Sequence, residues 1–234
     1  MILKANGVVL TWFHDFVTQE NIPERIAISI SGGTDSSLTL YCLCKSLMIH
    51  NRQNEVSLYP FNVNMLDYGW PELSKLPTIR CYEVISEMFP EINFPEGLTM
   101  KDAWYNSGGP GTSPKQNTLR KYRGLFQKEF NISRWLTGST RNPPEGTTKR
   151  LDELISSDPN LTLRQGKEYE SQGGPFHTVD KKFLANIYEQ ENLMYNLFPN
   201  TVSCTNTSSI QPCKKCYWCE EKKWAFGMYD GCIT

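Results

Sequence analysis

The chain has 234 residues, 39% hydrophobic and 12% aromatic, enough for a sizeable core in one globular domain or one with an appendage. Its 24 basic and 25 acidic residues leave a net charge of −1, without the broad basic footprint of a duplex-binding domain. No apolar run approaches the roughly 20 residues that span a bilayer, and no small-residue cleavage site follows Met1–Phe16, so a cytoplasmic protein is expected, with its eight cysteines serving metal or thiol chemistry rather than disulfides.

In chain order, residues 8–19 read as a short helix. Arg25–Ser31 is apolar and β-branched between Pro23 and Gly32, which predicts a buried strand. Apolar residues recur at helical spacing from Ser36 to His50. Glu55–Met65 predicts a second strand, interrupted at Pro60; Pro77–Phe89 predicts a helix, and residues 91–97 (EINFPEG) a short third strand. The Gly-, Pro- and Ser-rich residues 99–116 read as a loop. Asn117–Phe130 returns to helical spacing, and Ile132–Thr137 predicts a strand running into Gly138. Residues 139–175 are polar with little periodicity, and Val179–Leu197 predicts a helix. Alternating strands and helices imply a mainly parallel sheet with helices on both faces, over residues 1–200, followed by a cysteine-rich module over 201–234.

The turn after the first predicted strand reads Ile30-Ser31-Gly32-Gly33-Thr34-Asp35-Ser36-Ser37. It lacks the lysine of a Walker loop and the third glycine of a dinucleotide fingerprint. Adjacent glycines still allow a concavity of N–H donors, three serines add hydroxyls, and the following helix directs its positive end there. Asp35 repels an anion, so it reads either as a Mg²⁺ ligand beside a polyphosphate or, with Ser36, as a helix cap in an ordinary strand–turn–helix junction.

Cys204, Cys213, Cys216 and Cys219 follow the pattern C-x8-C-x2-C-x2-C. Two-residue gaps turn successive thiolates around one ion, so a closed structural Zn²⁺ site is expected. An iron–sulfur cluster is the alternative, disfavoured because the fourth cysteine lies upstream and no Cys-Pro follows. Lys214, Lys215, Lys222 and Lys223 would offset thiolate charge or solvate the knuckle. Cys42 and Cys44 read as core residues, while Cys81 and Cys232 remain unassigned.

"SGGTDS" resembles the pyrophosphate loop of the N-type ATP pyrophosphatases, and its combination with the C-terminal cysteine pattern and "EKKWAFG" resembles the 7-cyano-7-deazaguanine (preQ0) synthase family. That resemblance implies a Rossmann-like, adenine nucleotide alpha hydrolase-like sheet with a structural zinc, frequently in a homodimer. It implies ATP- and Mg²⁺-dependent conversion of a deazaguanine 7-carboxylate with ammonia, through an adenylate and an amide, to the nitrile used in queuosine and related modifications. It places ATP against residues 30–37, with Asp35 and Ser36 in the chemistry. "PFHTVDKKFLANIYEQ" is similar to the family's stretch before the first zinc cysteine, which makes Lys181 a phosphate or adenylate ligand; otherwise it is a solvated lysine at a helix start. Residues 65–175 do not align with the family's substrate segment. In "LTGSTRNPP" an expected acidic residue is missing, and Arg141 is either an anion ligand or an exposed loop residue. His177, beside Lys181, is the nearest candidate base among three histidines. With Met-Ile at the start and no glutaminase segment, nitrogen is expected from free ammonia or a partner. Neither membrane nor direct nucleic-acid binding is expected. The alternatives are the same adenylation chemistry on another acceptor (tRNA thiolation, protein or DNA-base modification) and a non-catalytic zinc-stapled nucleotide-binding module.

Overall fold

The computed structural model describes residues 1–66, 71–104, 114–158, 161, 174–205 and 211–230. The predicted 8–19 helix is in fact part of a hairpin followed by a shorter helix. Strands β1 (Leu3–Ala5) and β2 (Val8–Leu10) pair antiparallel, and α1 covers Trp12–Val17. Asn6 and Gly7 join the strands with φ of 51° and 74°, the left-handed pair that a two-residue hairpin turn demands.

Strand β3 (Arg25–Ser29) leads into helix α2 (Thr34–Ile49), as the spacing predicts. β4 runs unbroken from Ser57 to Met65 through Pro60. Leu58, two residues earlier on the same side, donates its N–H to the Asn93 carbonyl. Ladder pairing with the next strand starts only at Phe61 opposite Thr99. The N–H that proline lacks therefore falls in a gap of the ladder, so the strand continues.

Helix α3 spans Pro71–Met88 with Pro77 inside it. Residues 91–97 are not a strand; they contribute an isolated bridge between Asn93 and Ser57. The third strand of the sheet is β5 (Thr99–Ala103), inside the segment read as a loop, and helix α4 (Pro114–Glu129) begins before that segment ends. Residues 105–113 of the predicted loop lie outside the described residues. β6 (Arg134–Thr137) follows as expected. The polar stretch 139–175 contains helix α5 (Lys149–Ser157), capped by Thr148, whose side chain accepts the Leu151 N–H. Helix α6 (Lys181–Gln190) ends sooner than its apolar pattern, as Glu191 caps it and Asn192 turns left-handed at φ 56°. The last helix, α7, is Tyr217–Phe226.

The main sheet has the order β5-β4-β3-β6, every neighbour parallel. Alternation along the strands divides the core. Ile26, Ile28 and Leu58 face α1, α2, α3 and α6, whereas Ala27, Tyr59 and Phe61 face Phe126 on α4. Helices thus cover both faces, as parallel strands require. A third cluster joins α5 to the tail through Leu151, Ile155, Leu161 and Tyr217. Because the chain passes from β3 to β4 on one side and returns to β6 on the other, a crevice opens beyond the carboxyl ends of β3 and β6. Open α/β sheets bind ligands at such a switch point. Among the described residues no helix is long and apolar enough to cross a membrane.

Candidate active site and metal centre

The turn after β3 occupies that crevice. The helix N-cap is Gly33, without a side chain to cap with, and the first helical bond is Ser37 N–H to the Gly33 carbonyl, at 3.2 Å. The amides of Thr34, Asp35 and Ser36 therefore precede the helical ladder, in the position that favours an anion. This overturns the cap alternative for both Asp35 and Ser36. Ser36 Oγ instead folds the turn, accepting the Ser31 N–H at 3.0 Å and lying 3.1 Å from Ser31 Oγ and 3.3 Å from the Gly33 carbonyl.

Two glycines make the turn possible. Gly32 has φ +72°, and a Cβ there would lie 2.6 Å from the Pro77 backbone carbonyl carbon. A Cβ on Gly138, the first residue after β6, would lie 2.4 Å from the Asp35 carbonyl oxygen. The loops after β3 and β6 therefore touch backbone to backbone.

Asp35 is the hub. Its Oδ1 accepts the Thr34 hydroxyl at 3.0 Å and pairs with Lys181 Nζ at 3.1 Å, and its Oδ2 accepts the Thr140 hydroxyl at 3.3 Å. Thr140 stands in the segment where an acidic residue was expected. Tyr188, fully buried, donates its hydroxyl to the Thr34 carbonyl at 3.0 Å and fixes the start of α2 from beneath. Lys181 opens α6, as read from the sequence, but it is not solvated: it is 2% exposed. Ile30 and Ser37 are buried at 1% and 0%, so their side chains belong to the core, while Ser31 is exposed. His177 is buried; its Nδ1 accepts the Gly174 N–H at 3.0 Å, which leaves Nε2 to donate to Ser139 Oγ at 3.1 Å. In that tautomer the ring offers Ser139 a proton rather than a basic nitrogen. Arg141 is exposed. Cys42 and Cys44 are fully buried core residues, and Cys81 lies behind the turn, 3.9 Å from the Gly32 carbonyl, its thiol pushed by burial up to about 11. Cys232 lies outside the described residues.

The four tail cysteines converge. All four Sγ atoms lie within 4.8 Å of one another, against about 3.8 Å expected from Zn–S bonds of 2.3 Å in a tetrahedron. A four-iron cluster, whose inorganic core is larger than one ion, would hold the thiolates further apart. The Cys213 N–H points at Cys204 Sγ at 3.3 Å and the Cys216 N–H at Cys213 Sγ at 3.4 Å, and Lys214 is left-handed at φ 55° in the turn. Burial pushes the Cys213 thiol up, but hydrogen bonds from the Lys215 and Cys216 N–H groups, with those to the Cys204 and Cys216 side chains, outweigh it and bring it down to about 7; burial and the Cys216 charge push Cys219 upward. Four cysteine sulfurs this close can share one cation on deprotonation, so the donor set fits a single tetrahedral ion.

Lys222 does not solvate the knuckle. It is 0% exposed, ion-paired with Asp230 and donating to Thr201 at 3.0 Å, and burial lowers its pKa. The other Asp230 oxygen accepts the Ser203 and Cys204 N–H groups at 2.8 Å, so this buried pair delivers the first cysteine.

Tyr217, Trp218 and Glu221 are the residues that sequence reasoning missed. The sequence assigns them no role, and only the fold turns Glu221 inward, to 0% exposure and 2.8 Å from Lys181 Nζ.

No protein-family model matches the chain, and no curated protein does. Among solved structures it is similar to the U34-tRNA thiolase NcsA from Methanococcus maripaludis with its 4Fe-4S cluster, at 14% identity and TM-score 0.44, over 78% of this chain and 61% of that one. It is also similar to NMN synthetase from Francisella tularensis, at 11% identity and TM-score 0.48, over 93% of this chain and 85% of that one. The chain thus spans less than two thirds of the thiolase. Likenesses this distant leave the chemistry to be argued from the chain's own residues.

Proposed function

We propose that the chain is an ATP pyrophosphatase of the PP-loop type that adenylates the carboxylate of 7-carboxy-7-deazaguanine and, with ammonia, carries it through the amide to the nitrile. One observation carries the reading: a carboxylate, Asp35, held by three donors beside unladdered helix amides at the sheet's switch point. A phosphate-only cradle has no use for that carboxylate, whereas a magnesium–polyphosphate site does. The acceptor and nitrile product come from the resemblance of "SGGTDS" together with C-x8-C-x2-C-x2-C.

In this mechanism an acceptor carboxylate oxygen bonds to the α-phosphorus, and the bond from that phosphorus to the α–β bridging oxygen breaks. Amides of residues 34–36 and the hydroxyls of Ser31 and Ser36 receive the leaving pyrophosphate. Lys181 neutralises charge gathering on the phosphates, the preorganised electrostatics on which phosphoryl-group chemistry rests. Asp35 would hold Mg²⁺, which supplies charge neutralisation when bound. Ammonia displaces AMP to give the amide; a second adenylation, on the amide oxygen, followed by loss of AMP and of the amide protons, gives the nitrile. Zn²⁺ on Cys204, Cys213, Cys216 and Cys219 would be structural, its coordination closed by sulfur.

Purified protein incubated with ATP, Mg²⁺, ammonium and 7-carboxy-7-deazaguanine should form the nitrile, read by mass spectrometry, with pyrophosphate released. Pyrophosphate release only with a different acceptor would keep the adenylation and discard the deazaguanine. No ATP consumption with any acceptor would discard both.

A further inference from the structure

Lys181 lies between two carboxylates, Asp35 Oδ1 at 3.1 Å and Glu221 Oε2 at 2.8 Å, with the Trp218 ring centre 5.9 Å from its ammonium. Two of these three neighbours come from α7, whose first turn carries Cys219 and which Cys216 precedes. Glu221 is in turn fixed: its Oε1 lies 2.6 Å from the Tyr217 hydroxyl oxygen, which is 2.9 Å from Asn142 Oδ1 in the segment after β6. The cysteine knuckle therefore does more than close the tail. It aims a buried carboxylate and an indole at the lysine that faces the phosphate turn.

The two partners of Lys181 have different prospects. In the nucleotide site argued above, Asp35 must turn to a magnesium ion, and a lysine bound to Asp35 alone would compete with that ion. Glu221 is 0% exposed, at the fifth position of α7, with its other oxygen held by the Tyr217 hydroxyl, so it can hold the ammonium while Asp35 lets go. We propose that Glu221 is a positioning residue that keeps Lys181 at the phosphate turn during nucleotide binding, which makes the cysteine module a wall of the active site. This rests on the nucleotide reading above.

The test is a double-mutant cycle read by Mg·ATP binding in isothermal titration calorimetry, alongside the KM and kcat of pyrophosphate release. Glu221→Gln should weaken Mg·ATP binding about tenfold and raise KM more than it lowers kcat, an ordinary size for a coupled pair. Glu221→Asp, which keeps the charge, should restore most of the loss. In a Lys181→Met background, Glu221→Gln should add less than about a further twofold, because the lysine it acts through is gone. A full-size effect in that background, or parent-like binding by Glu221→Gln, overturns the proposal. Should Glu221→Gln fail to fold, Tyr217→Phe removes only the hydroxyl that fixes Glu221; it should weaken binding in the same direction, and only while Lys181 is present. Independent effects with a parent that binds Mg·ATP sink the clamp alone, while a parent that binds no Mg·ATP sinks the nucleotide reading with it.

Discussion

At the scale of single residues, Asp35 and the glycines around it carry opposite kinds of constraint. Asp35 is held by polar donors on both oxygens, so Asp35→Asn keeps its shape while removing the charge that a magnesium site needs. Pyrophosphate release should fall by at least about a hundredfold, roughly 2.7 kcal/mol in the barrier. The loss should appear at saturating ATP as well as in the apparent Mg²⁺ requirement. Gly138 has no chemistry at all, yet its lack of a Cβ permits a contact in which one would sit 2.4 Å from the Asp35 carbonyl oxygen. Gly138→Ala must separate the loops after β3 and β6. It should cost about 1–3 kcal/mol, as overpacking does, seen as a lower denaturation midpoint in urea.

At the scale of elements, the two faces of the sheet are unequal. The face with α1, α2, α3 and α6 holds most of the buried side chains, including Phe13, Tyr188 and Phe176. The other depends on α4, through Phe126, which is 2% exposed with its ring 4.3 Å from that of Phe61. Phe126→Ala should therefore cost about 3–5 kcal/mol, the usual range for deleting a buried aromatic, measured by chemical denaturation. Were α4 only loosely laid on the sheet, the loss would be far smaller. α4 needs this anchor because Arg120, Lys121, Gln127, Lys128 and Glu129 on it are exposed and polar.

At the scale of the molecule, the tail and the sheet are joined by polar as well as apolar contacts. Lys222 and Asp230 deliver Cys204, Tyr217 packs with Leu151 and Ile155, and Glu221 reaches Lys181. Stripping the metal with a chelator should release these together. Elemental analysis should find about one metal ion per chain, absent from Cys216→Ser, as expected for a single four-thiolate site. Metal removal should lower the melting temperature and change the emission of Trp218 and Trp224, which pack in the same cluster. A tail that kept its fluorescence and its melting temperature without metal would contradict the structural role.

Local patterns determined much of this protein. A strand, a glycine pair and a helix in succession placed the candidate phosphate turn, and the cysteine spacing placed the four candidate metal ligands, because both depend on backbone reach over a few residues. The Asn6-Gly7 hairpin was missed, although that dipeptide favours a hairpin turn, because the apolar residues that follow it also fit a helix period. Strand β5 was hidden because an edge strand carries polar residues such as Lys101 and Asp102. Pro60 reads as a break in β4, but its missing N–H falls where the ladder with β5 has not begun. The pairing of Lys181 with Asp35 and Glu221 joins residues at opposite ends of the chain. Only tertiary structure decides such a pairing: no local period reports which charged residue is turned inward, since burial of a charge is settled by what packs over it.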